Sequence, residues 1–141
     1  MRTYLTLVQE SYDRVIPNEG VSEALEFARG RGWHCAVVTS NSEALAQNWL
    51  KKNEIDQFVF CVVGKESVHR GKPDPEPYNV ALSKMGCAAE MSLAVEDSPS
   101  GVLSATAAHI RTFAYAPLPS SQVFPENVKL LKTWLELKDW L

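Results

Sequence analysis

Short apolar runs that stop at polar clusters, separated by stretches of helical periodicity, constrain this chain more than any other feature. A run from His34 through Val38 ends in Thr39-Ser40-Asn41-Ser42, and Phe58-Val59-Phe60-Cys61-Val62-Val63 closes at Gly64. Leu93-Ala94-Val95 ends at Glu96-Asp97-Ser98, and a weaker run over residues 110–115 stops before Pro117. Continuous apolar runs of this length predict strands buried on both faces, as in a parallel sheet covered by helices.

The intervening segments read as helices. Val21, Leu25 and Ala28 recur at helical spacing before Gly30 and Gly32. Leu45, Trp49 and Leu50 mark a second helix, with Asn41 or Ser42 as its N-cap. Tyr78, Ala81, Leu82 and Met85 mark a third, with Pro75 and Pro77 near its start and Gly86 at its stop. Residues 101–108 suit a small-residue helix packed closely on a sheet. Val128, Leu131 and Leu135 predict a terminal helix. Residues 1–16 admit two readings: Tyr4-Leu5-Thr6-Leu7-Val8 has the composition of a strand, whereas Tyr4, Val8, Tyr12 and Val15 follow helical spacing and favour a first helix. Strands alternating with helices give an α/β fold, a Rossmann-like parallel sheet covered on its faces.

At 141 residues the chain has length for one domain with a sizeable core. Its 14 basic and 17 acidic residues leave a net charge of −3, without the basic footprint that nucleic acid or an anionic membrane surface requires. No apolar run approaches the roughly 18 residues of a membrane span, and the first residues do not read as a secretory signal. Cys35, Cys61 and Cys87 share no metal-type spacing, which predicts reduced thiols in a cytoplasmic protein.

In open α/β sheets, ligands bind beyond the carboxyl ends of the strands. The polar residues gather there: Thr39, Ser40 and Asn41 after one strand, Glu96 and Asp97 after another, and Lys72 in the Arg70-Gly71-Lys72-Pro73-Asp74-Pro75 loop. A hydroxyl with neighbouring N–H groups and a lysine suit phosphate oxygens, and a carboxylate pair suits Mg²⁺, which prefers oxygen ligands. Taken singly, each piece also has a structural explanation, as a helix cap, a solvated loop lysine or an acidic helix N-terminus. Their order and placement together are the specific signal.

Three stretches resemble the second, third and fourth motifs of the haloacid dehalogenase-like (HAD) hydrolase superfamily, close to its phosphoglycolate phosphatase and β-phosphoglucomutase group. They are Ala36-Val37-Val38-Thr39-Ser40-Asn41-Ser42, Gly71-Lys72-Pro73-Asp74-Pro75-Glu76-Pro77-Tyr78 and Leu93-Ala94-Val95-Glu96-Asp97-Ser98-Pro99-Ser100-Gly101. The resemblance implies that Thr39 binds the transferred phosphoryl group and that Lys72 neutralises it. It places Ser40 and Asn41 beside the phosphate, and Asp97 with Glu96 at Mg²⁺. It further implies phosphatase or phosphotransferase chemistry on a small phosphorylated metabolite, through an aspartyl-phosphate in the complete enzyme.

The family's first motif, an apolar strand ending in Asp-x-Asp that carries the nucleophile, has no counterpart in this sequence. The resemblance therefore implies a truncated chain, inactive alone, lacking the central strand and most of the cap. Residues 1–16 would be the last of the cap and its return linker, and residues 17–141 the core. A catalytically dead module binding a phosphorylated ligand or a protein is the alternative. Loss of a central strand predicts that its two neighbours close on one another, or that residues 3–8 or another chain fill the slot by strand exchange or homo-oligomerisation. Relatives often carry Gly where this chain has His109, an expected left-handed position.

Overall fold

A computed structural model describes residues 15–141. The helix expected over residues 1–16 lies outside them apart from Val15 and Ile16, which form no helix. Helix α1 (Val21–Gly30) starts from Gly20, at φ 80°, and buries Ala24 and Ala28. Strand β1 (Cys35–Val38) follows, then α2 (Glu43–Lys52), where the Ser42 hydroxyl accepts from the Leu45 N–H at 3.2 Å. Strand β2 (Val59–Val63) pairs in parallel with β1. Helix α3 (Glu76–Met85) ends on Gly86, whose left-handed φ of 62° costs a residue without Cβ little.

Strand β3 (Leu93–Glu96) leads into α4 (Pro99–Ala107), capped by the Ser98 hydroxyl on the Gly101 N–H. Strand β4 (Arg111–Tyr115) runs parallel to β3, and β5 (Lys129–Leu131) runs parallel to β4. His109 takes φ 61°, the left-handed position expected there. All three cysteines are free thiols. Among the described residues no helix is long and apolar enough to cross a membrane.

The strands form two parallel sheets, β1-β2 and β3-β4-β5. The neighbours β1 and β3 therefore do not close on one another, and each has one hydrogen-bonded partner strand among the described residues. For β1 this corrects the expectation of burial on both faces: Cys35, Ala36, Val37 and Val38 are all only half-buried. Side chains join the halves where backbone does not. Val38 packs on a cluster of Tyr78, Ala94, Ala105, Ala108 and Ile110 drawn from α3, β3 and α4.

The expected terminal helix is also corrected. Lys129, Leu130 and Leu131 pair with Phe113, Ala114 and Tyr115, and only then does a 3-10 turn cover Trp134–Asp139. A capping box between Thr133 and Glu136 starts that turn and so separates it from the strand. Leu131 and Leu137 reach the Phe113 cluster from the two pieces.

Candidate functional site

The site grows from the carboxyl ends of β1 and β3. The Thr39 N–H donates to the Val63 carbonyl at 2.9 Å, carrying the β1–β2 ladder one residue past the strand. The Thr39 hydroxyl then accepts from the Asn41 N–H at 3.1 Å, and the Asn41 carbonyl accepts from the Lys65 N–H at 3.0 Å. Those bonds fix a tight turn in which Ser40 and Asn41 are exposed.

Glu43, on the first turn of α2, holds the opposite loop. Its carboxylate accepts from the Gly64 N–H at 3.2 Å and from the Ser67 hydroxyl, while its own N–H donates to Glu66 at 3.0 Å. The Ser67 bond, and after it the Gly64 bond, hold the Glu43 carboxyl below its usual range. A Cβ on Gly64 would stand 2.7 Å from the Glu43 nitrogen and 2.9 Å from the Asn41 oxygen, so only glycine permits this approach.

Lys72 comes from the loop before α3. Its Nζ donates to the Val38 carbonyl at 3.0 Å and pairs with Glu96, at the end of β3. Both side chains are nearly enclosed, at 10% and 7% exposure. A buried charge persists only when paired and hydrogen-bonded, and Glu96 has both, since the Tyr78 hydroxyl also donates to it. The ammonium lies 5.6 Å from the centre of the Tyr78 ring. Burial first, and the Glu96 charge second, push the Tyr78 phenol far above its usual pKa. On the other side of Glu96, α4 approaches so closely that a Cβ on Gly101 would overlap the carboxylate.

The loop carrying Lys72 is itself tied down. The Glu76 carboxylate accepts from the His69 and Arg70 N–H groups at 2.7 and 3.0 Å, and Asp74 accepts from the Glu76 N–H at 2.9 Å. The Ser104 hydroxyl donates to the Asp74 carbonyl at 2.5 Å, fastening the loop to α4.

Thr39, Ser40 and Lys72 line one cavity of about 250 Å³, together with Lys65, His69 and Gly71. Asn41 stands beside it in sequence without lining it, and Glu96 lies behind Lys72. Asp97 is exposed just past β3. With Glu96 engaged by Lys72 and Tyr78, Asp97 is the carboxylate that the described residues turn toward solvent. No group of three or more His, Cys, Asp or Glu side chains among them gathers as a metal site. The described residues by themselves therefore do not complete a Mg²⁺ site.

Sequence reasoning missed Tyr78, Glu43, Lys65 and His69 as parts of this arrangement. Tyr78 read as an ordinary core position at helical spacing. Lys65 carried a usable signal, because it follows Gly64 directly beyond a strand end.

A family-wide sequence pattern for haloacid dehalogenase-like hydrolases matches residues 1–115. The phosphorylated carbohydrates phosphatase of Thermotoga maritima is 36% identical over 93 residues, covering 66% of this chain and 43% of that protein. Pyrophosphatase PpaX of Halalkalibacterium halodurans is 29% identical over 111 residues, covering 78% of this chain and 52% of that protein. The chain thus spans about half the length of the curated relatives it matches. A HAD-superfamily hydrolase of subfamily IA from Geobacter sulfurreducens superposes with a TM-score of 0.78 at 30% identity, over 94% of this chain and 65% of that one. The parallel α/β layers, the three motifs at their strand ends and a pattern match across most of the sequence converge, and the chain belongs to the haloacid dehalogenase-like hydrolase family.

Proposed function

We propose that this chain carries the phosphoryl-binding and charge-neutralising part of a HAD-type phosphatase or phosphotransferase site for a small phosphorylated metabolite. The observation that carries the reading is the cavity shared by Thr39, Ser40 and Lys72 at the carboxyl end of β1. The Thr39 hydroxyl and the turn after it supply donors to phosphate oxygens, with Asn41 shaping that turn through its N–H. Lys72, held by the Val38 carbonyl and Glu96, supplies a fixed positive charge where phosphoryl charge develops. Relatives named as phosphatases of phosphorylated carbohydrates and of pyrophosphate support that substrate class.

In this reading residues 17–141 are the core and residues 1–16 the linker from a cap. The nucleophilic aspartate comes from a strand that the sequence does not contain, pairing with the edges of β1 and β3 that have no partner among the described residues, whether joined upstream or supplied by another chain. Mg²⁺ would take Asp97, with Glu96 beside it, and bind weakly to this chain alone because so few of its ligands are here. Three free thiols accord with a reducing cytoplasm. The second reading is a module that binds phosphorylated ligands or a protein without turnover, and it shares with the first the lack of Asp-x-Asp in these 141 residues.

The test is phosphate release from an aryl phosphate, with and without Mg²⁺. The 141-residue chain should show none above background, because groups that act as a unit lose most of their effect when the nucleophile is missing. A version extended upstream with a cap and an Asp-x-Asp strand should turn over, and Lys72→Ala should abolish that. Turnover indifferent to both Lys72→Ala and Asp97→Asn would overturn the assignment, and an extended protein that binds phosphate without turnover would establish the second reading.

A further inference from the structure

The cavity that holds Thr39, Ser40 and Lys72 has a second wall, built by Lys65 and His69. Lys65 follows Gly64 at the carboxyl end of β2, and its N–H bond to the Asn41 carbonyl fixes where its side chain begins. His69 is anchored the same way, by its N–H on the Glu76 carboxylate at 2.7 Å. Both residues are exposed, and among the described residues neither side chain has a hydrogen-bond or ion-pair partner. Their cationic neighbours differ: Lys72 is paired with Glu96, Arg70 with Asp74 at 3.6 Å, and Lys84 with Glu43 at 3.9 Å.

Among the described residues no Asp or Glu lines the cavity, in a chain that is acidic overall. Its volume of about 250 Å³ has room for on the order of eight waters, more than one phosphate group fills. Unpaired donors gathered on a concave surface with no carboxylate among them favour an anion there, since field lines concentrate in a cleft lined by one sign of charge.

We propose that Lys65 and His69 are specificity-determining residues. They receive a second anionic group, phosphate or carboxylate, on a ligand whose phosphoryl group sits against Thr39, Ser40 and Lys72. The inference rests on the phosphoryl-site reading above and adds a preference for doubly anionic ligands, with a residue basis for it.

The experiment titrates the full 141-residue chain with inorganic phosphate, pyrophosphate and phosphonoacetate, following backbone amides by NMR. Both two-headed probes should bind about tenfold tighter than phosphate, as expected for one added charge-assisted contact. In Lys65→Gln/His69→Asn, whose sites are exposed and should leave the fold intact, that preference should shrink to about threefold or less while phosphate still shifts the Thr39, Ser40 and Lys72 amides. Loss for pyrophosphate alone would assign the wall to a second phosphate, and loss for both probes to any second anion. A preference that survives in the double variant, or is missing from the unmodified chain, would overturn the inference while leaving the phosphoryl site standing. Silent Thr39, Ser40 and Lys72 amides in every titration would instead overturn the phosphoryl-site reading itself, and this inference with it.

Discussion

Lys72 Nζ lies 3.0 Å from the Val38 carbonyl oxygen, and the same ammonium pairs with Glu96. Val38 ends β1 and Glu96 ends β3, and these two strands share no backbone hydrogen bond. One side chain thus ties together two sheets that their backbones leave separate, and it also lines the cavity. Fold and site depend on the same cation.

Removing that cation should be costly. Lys72→Met leaves Glu96 buried with the Tyr78 hydroxyl as its one remaining side-chain donor among the described residues. Breaking a buried pair in this way typically costs about 3–5 kcal/mol. The urea midpoint should fall accordingly, whereas a change under about 0.5 kcal/mol, typical of surface substitutions, would show that Glu96 is solvated in solution.

Gly101→Ala should destabilise the protein for a steric reason. The new methyl group would overlap the Glu96 carboxylate, which can yield only by breaking its bonds to Lys72 and Tyr78. Overpacking of this kind costs roughly 1–3 kcal/mol and displaces the pair. Thermal unfolding reads the loss, and an unchanged midpoint would mean that α4 sits farther from β3 than described.

Tyr78 should govern alkaline stability. Its folded pKa is raised above the unfolded value of about 10, so its contribution is complete below that pH. Above it the unfolded chain ionises while the folded one stays neutral, and stability falls as pH rises. In Tyr78→Phe that part of the decline should vanish. Equal slopes for the two proteins between about pH 10 and 11 would count against a buried, neutral phenol.

Glu43 should act at the other end of the scale. Its folded pKa is lowered, so its stabilising contribution is present above the unfolded value and is lost as pH falls through the folded one. Melting temperatures followed downward from pH 6 should drop less steeply in Glu43→Gln than in the unmodified protein. The same change should loosen the Gly64–Ser67 turn, seen as faster hydrogen exchange at the Gly64 amide.

Much of the arrangement is legible in the sequence, because the cues are local. Apolar runs ended by Thr39, Gly64 and Glu96 mark strand ends, and Ser42 and Gly86 mark helix ends whose bonds lie within a few residues. The positions of Thr39, Ser40, Lys72 and Asp97 follow from those boundaries together with the rule that ligands meet a parallel sheet at its carboxyl end. Where a pattern admitted two structures, the sequence was not enough. Val128, Leu131 and Leu135 fit a helix, yet residues 129–131 are a strand because β4 offers them a partner edge.

What only the tertiary structure decided is which side chains meet. Tyr78 at helical spacing announces a core residue, and nothing local says that its hydroxyl reaches a glutamate 18 positions later. Lys72 and Glu96 are 24 residues apart, and their pairing depends on how α3 packs against α4 and β3. The half-buried state of β1 likewise depends on which strands stand beside it. Periodicity and caps are written in neighbouring residues and survive in one dimension, whereas burial, pairing and the shape of a cavity arise only when distant segments come together.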